Sequence, residues 1–132
     1  MRAAVSAVVV LVVLLVAGDD PDGSGPSFRL TGVFTLTGGV SSDTGRGACE
    51  GSGDYDDVRA GTPVTVHSMG GDVLATGALG SPVWAEPVCE FRITVAGVPG
   101  GHDFYQVEIG RHGKIAVSYD EARNGQAAIT LG

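Results

Sequence analysis

From Ser27 onward, hydrophobic and polar positions alternate. Phe28, Leu30, Gly32, Phe34 and Leu36 fall on one side of the chain, and Arg29, Thr31, Val33, Thr35 and Thr37 on the other. A period of two belongs to a strand with one buried face, so a first strand is expected over Phe28–Leu36. The pattern then lapses from Gly38 to Gly61, a Gly- and Asp-rich stretch with no sustained period. So long a connection is unusual in a compact domain; it either hides a short strand near Ala48–Gly51 or forms a binding loop. Pro63–Ser68 resumes as a strand, Gly70-Gly71-Asp72 reads as its turn, and Val73–Leu79 as the returning partner. Gly80-Ser81-Pro82 is expected to break that strand and leave Val83–Pro87 as an edge segment. Val88–Ala96 alternates cleanly, placing Cys89, Phe91, Ile93 and Val95 together on the core side. Phe104–Ile109 and Lys114–Tyr119 form a hairpin around Gly110-Arg111-His112-Gly113. Ser118 to Glu121 matches a capping box, predicting one helical turn over Asp120–Arg123, and Gln126–Leu131 closes the chain as a strand.

Six or seven short strands, with no amphipathic helix of useful length among them, predict an all-β domain. The expected architecture is an antiparallel β-sandwich, immunoglobulin-like or prealbumin-like, over residues 28–132. Ahead of it, Met1-Arg2 carries one positive charge and Ala3–Ala17 is apolar apart from Ser6. At 1.5 Å per residue that run spans about 22 Å, short of the roughly 30 Å hydrocarbon thickness. It therefore reads as a signal peptide over residues 1–18, with small residues at Val16-Ala17-Gly18 for cleavage. Leu15-Val16-Ala17-Gly18 also resembles a lipobox, but Asp19 stands where the lipid-bearing cysteine belongs. An uncleaved N-terminal anchor is the alternative, and the only route by which a membrane is expected to be involved. Residues 19–27, rich in Asp, Gly, Ser and Pro, read as a flexible linker.

Composition sharpens this picture. The 132 residues include 22 Gly and 6 Pro, so the chain is heavily punctuated and holds one domain at most. Ten of its Leu, Ile, Val and Phe residues lie in the first eighteen positions, which leaves a thin core for the remainder. Without Arg2, fifteen acids face seven basic side chains and the formal charge is −8. Such a surface repels phosphate backbones and excludes nucleic acid as a partner. Arg strongly outnumbers Lys and Asn occurs once, a bias that a GC-rich bacterial genome produces. Cys49 and Cys89 are the only cysteines; in an exported chain, an isolated pair is expected to be a disulfide. Closing a loop of about 40 residues stabilises by roughly 4 kcal/mol, which compensates for the scarce core.

The runs Gly61–Val66, Gly71–Leu74, Phe91–Val95 and Tyr105–Ile109 resemble prealbumin-like domains, including carboxypeptidase regulatory-like modules. More closely, Phe28–Gly132 resembles a group of small secreted or lipid-anchored actinobacterial proteins. The resemblance rests on Cys49-Glu-Gly-Ser-Gly-Asp-Tyr-Asp-Asp57, Cys89-Glu-Phe91, Val98-Pro99, Phe104-Tyr105-Gln-Val107 and Arg111-His-Gly113. It implies a two-cysteine β domain outside the cell and brings no activity with it.

Several side chains are candidates for chemistry. Asp54, Asp56 and Asp57 in a Gly-rich loop are hard oxygen ligands of the kind Ca²⁺ takes, but the regular spacing of a calcium loop is missing. Tyr55 and the single tryptophan, Trp84, are candidate partner-binding residues; packing beside the disulfide and covering one end of the domain are their competing roles. His102-Asp103 could orient a base in a small hydrolase, yet no nucleophile elbow or free cysteine accompanies it. His67, His102 and His112 lack zinc-ligand spacing. The sequence thus favours a monomeric, non-catalytic interaction or accessory module, secreted or tethered at the cell envelope. It needs no cofactor, and its partner is a protein or an envelope ligand. A hydrolase using His102 and Asp103, or a Ca²⁺-binding surface domain, stands as the alternative.

Overall fold

A computed structural model describes residues 26–43 and 48–132; the expected signal peptide and most of the linker lie outside them. The chain forms β1 (Ser27–Leu36), β2 (Val40–Asp43), β3 (Ala48–Gly51), β4 (Pro63–His67), β5 (Val73–Ala85) and β6 (Val88–Pro99). It continues with β7 (Phe104–Ile109), β8 (Lys114–Ser118), a short helix α1 (Tyr119–Arg123) and β9 (Ala127–Leu131). The all-β expectation holds, and α1 begins with the expected capping box. The Ser118 hydroxyl accepts from the Glu121 amide at 3.1 Å, and the Glu121 carboxylate accepts from the Ser118 amide at 3.0 Å.

The architecture differs from two stacked layers. Seven strands form one continuous, nearly barrel-like sheet in the order β8-β7-β4-β5-β6-β1-β9, and β2 and β3 form a separate hairpin. Nor is the sheet wholly antiparallel, because β9 runs parallel to β1 from Gly32↔Ala127 to Leu36↔Leu131. The reason lies in strand length and bulges. β5 and β6 run 13 and 12 residues, and register shifts at Phe28/Leu30, Val66/His67 and Leu79/Pro82 bend the ladders. Long bent strands curl one sheet around its own inner face.

The third shift also overturns the expected break at Gly80-Ser81-Pro82. Leu79 pairs with Ile93 and Pro82 with Phe91, so β5 carries one extra residue between them and pairing continues to Ala85. A bulge absorbs the proline, and because the β4 ladder ends at Ala78, Val83–Ala85 pair with β6 alone, so the expected edge character of this segment holds even though it continues β5. Ser27, placed in the linker by composition, already pairs with Pro99.

The inner face is filled by the alternating residues the pattern selects. Leu30, Phe34 and Leu36 of β1 meet Phe91, Ile93 and Val95 of β6, and Val64, Val66, Tyr105 and Val107 complete the wall. Phe28 packs edge-on between the rings of Tyr105 and Tyr119, at 5.6 and 5.2 Å. The Tyr105 hydroxyl donates to the Pro99 carbonyl at 2.7 Å, which satisfies the one polar atom on a fully buried ring. Burial raises the Tyr105 phenol above its ordinary value of 10.0; a backbone hydrogen bond involving His102 offsets part of this, and Tyr119 adds a smaller upward push.

The disulfide joins Cys49 of β3 to Cys89 of β6, with an S–S distance of 2.01 Å and Cα atoms 5.9 Å apart. Both cysteines are buried, so the hairpin is pinned on the core side at one end of the sheet.

Two outcomes follow. Replacing both cysteines by alanine is expected to cost roughly 3–4 kcal/mol in urea denaturation, the loop-closure value for a sequence separation of 40; a loss below about 1 kcal/mol would show that packing alone holds the hairpin. The Tyr105 contribution is intact below pH 10.0 and is lost as the pH climbs beyond it, because the unfolded phenol ionises first. Tyr105→Phe removes that alkaline decline and costs about 1 kcal/mol at neutral pH through the missing hydrogen bond; denaturation curves across the alkaline range test both.

Candidate functional site

The segment after the disulfide is Gly-rich and has no pattern of its own, so its shape depends on hydrogen bonds to other parts of the chain. Gly51 donates its amide to the Val58 carbonyl at 2.7 Å, and Val58 donates to the Tyr55 carbonyl at 2.9 Å. A single 3₁₀ turn at Gly53–Tyr55 lies between these bonds. The Thr62 hydroxyl, 4 % exposed, donates to the Asp57 carbonyl at 2.5 Å and accepts from the Arg59 amide at 2.9 Å. Val58 is fully buried and anchors the middle of the loop in the core.

The tip of the β7–β8 hairpin meets this loop. His112 Nε2 and Asp57 Oδ1 are 2.6 Å apart, and the His112 ring lies against Tyr55 with centroids 5.2 Å apart. Both members of the pair are largely shielded, with side-chain exposures of 16 % and 22 %. The approach is close enough to restrict its neighbours. A Cβ on Gly110 would sit 2.6 Å from the Asp57 carboxylate, and one on Gly39 would sit 2.6 Å from the Tyr55 ring. Both glycines also have positive φ, at 56° and 60°, so the turn and the contact select the same residue. The loop is thus held three ways: by the disulfide, by Val58 in the core, and by Asp57 and Tyr55 on His112.

The sequence candidates separate accordingly. Tyr55 packs under the β7–β8 tip instead of standing free, and Trp84 is partly buried against the core, opposite Cys89 in the β5–β6 ladder. Asp54 and Asp56 point to solvent, whereas Asp57 is engaged by His112. Among the described residues, no three His, Cys, Asp or Glu side chains converge to hold a metal ion. His102 lies edge-on to Tyr105 at 5.3 Å, and the Asp103 carbonyl accepts from the Tyr119 amide at 2.8 Å. Among the described residues, neither the His102 ring nor the Asp103 carboxylate takes part in a side-chain hydrogen bond.

No family model, curated relative or solved structure matches this chain. The site therefore has to be read from its own geometry. Two pairings escaped the linear pattern. Asp57 and His112 are 55 positions apart and were known only as members of two separate loops. His67 Nε2 lies 2.9 Å from Glu108 Oε1, and its Nδ1 is buried with no hydrogen-bond partner among the described residues. Both residues occupy outward positions of neighbouring strands, where Thr65↔Glu108 and His67↔Gln106 are opposed. Only the β4–β7 register, which joins strands distant in sequence, reveals that pair.

Energetically the exposed charges matter least. Arg59 donates to the Asp56 carbonyl at 2.9 Å and lies 3.7 Å from Glu50, but both side chains are about half exposed and such pairs are worth little. The shielded His112–Asp57 contact is the one with mechanical weight. A double-mutant cycle of Asp57→Ala and His112→Ala is expected to give a coupling of about 1–2 kcal/mol in urea denaturation. Additive losses would show that the contact does not hold the loop.

Proposed function

We propose that the chain acts outside the cell as a non-catalytic interaction or accessory module, presenting the Gly51–Gly61 loop to a partner. The observation that carries this reading is the His112–Asp57 contact with Tyr55 tilted against the same ring. The chemically versatile groups of this region are engaged in fixing a loop. The loop's free side presents Asp54, Asp56 and Arg59 to solvent. Binding surfaces are commonly loops made rigid by a scaffold, and this loop is more firmly tied than its glycine content leads one to expect.

The Cys49–Cys89 disulfide is compatible with an oxidising compartment, and the apolar run Ala3–Ala17 supplies the export signal in this reading. The resemblance to small secreted actinobacterial proteins points to the same setting. Exposed Asp54 and Asp56 suit a partner carrying cationic or hydrogen-bond-donor groups, such as a basic protein surface or an amine-bearing envelope polymer.

Site-specific photo-crosslinkers at Asp54 and Asp56, compared with one at Thr76 on the sheet wall, test this in the intact cell envelope. The loop positions are expected to yield one defined adduct that is absent at Thr76 and weakened when His112→Ala loosens the loop. Equal labelling from all three positions, or none from the loop, would sink the reading.

A further inference from the structure

The outer face of β5, β6, β1 and β9 is unlike the rest of this acidic molecule. Its rows follow from the ladders: Val83, Glu90, Thr35 and Thr130 form one, and Arg92, Val33 and Ala128 the next. Glu90 and Arg92 are the only charged side chains on these rows, one of each sign and two positions apart on the central strand. On a chain of formal charge −7 these two rows carry no net charge, and the nearest further charge on the outer side of β1 is the exposed Arg29. Val83 and Val33 protrude from the face, 59 % and 40 % exposed. Beside them, next to the bulge between Leu79 and Pro82, lies a shallow open groove lined by Val33, Ser81, Val83, Glu90, Phe91 and Arg92.

We infer that this face is a self-association surface whose occupant is a second copy of the same chain. The argument is one of complementarity. A two-fold axis near Phe91 sets Glu90 of each copy against Arg92 of the other, which a single strand carrying both signs at adjacent outward positions permits without further adjustment. The same rotation brings each copy's protruding valine toward the other's groove, so shape and charge match together. A lipid surface would exploit the valines but not the alternating charges, and a nucleic acid is repelled by the acidic whole. The patch is small and sits on a curved wall, so the association belongs to the weak class.

This inference is independent of the loop reading, because a monomeric chain would leave the loop cross-links in place. Sedimentation velocity of the full chain, expressed with its own N-terminal segment and kept oxidised, provides the test. Salt near 0.15 M screens the overall repulsion beyond about 8 Å while sparing contact pairs. The expected result is a concentration-dependent dimer. Glu90→Arg and Arg92→Glu should each weaken it at least tenfold, and an equimolar mixture of the two should recover it. Val83→Asp should abolish it, with unchanged circular dichroism showing that the fold is intact. A chain that stays monomeric to about 1 mM, well above the Kd of a weak interface, overturns the inference. So does a dimer indifferent to these substitutions, or a mixture that fails to recover.

Discussion

The bond between Cys49 and Cys89 is the constraint on which the rest of the molecule depends. The stretch from Gly38 to Gly61 has almost no apolar content with which to fold itself, and its glycines make an ordered state entropically costly. Tying its middle to β6 removes much of that freedom from the unfolded chain, so the weaker contacts have less entropy to overcome. Val58 then enters the core, Tyr55 and Asp57 reach the β7–β8 tip, and β2 and β3 pair against one another. Each of these contacts is modest, and together with the bridge they hold the segment at the end of the sheet.

The single curled sheet and the pinned loop are two parts of one arrangement. A sheet that closes on a core of this size leaves its ends uncovered, and a pinned hairpin covers one of them. The polar groups placed there are consumed in holding the cover, which is why His112 and Asp57 face one another and not an open cleft. The outer wall, by contrast, is free of such duties. Its low charge has no structural explanation in the core, and this is what gives the wall its meaning as a surface.

Local features were legible in the sequence wherever a residue reports on its own neighbours. The alternation in Phe28–Leu36 and Cys89–Val95 identified both strands and their buried faces, and Ser118 with Glu121 marked the helix start. The lone cysteine pair identified its bridge. What remained hidden depends on distant partners. Pro82 looked like a terminator because a proline removes a ladder donor, but a bulge placed it where that donor is not missed. Nothing in the alternation of β1 tells whether its neighbours belong to one sheet or two, since both arrangements bury the same side chains. The parallel addition of β9 depends on the crossover through α1, a length that two topologies share. For the site, Tyr55 and Trp84 stood as candidates either to bind a partner or to pack; Tyr55 packs against His112 and Trp84 is partly buried against the core, while the role of Asp57 became visible only when His112 stood beside it.

One feature of the sheet bears on how the molecule comes apart. β8 and β9 follow one another in sequence and lie at the two ends of the strand order, yet no ladder joins them. Phe34, Ile115, Ile129 and Leu131 are among the residues that line the interval between them. Main-chain amides along those facing margins exchange with water more readily than those inside the ladders. The seam between β8 and β9 is thus the one margin of the sheet that the chain crosses only through α1.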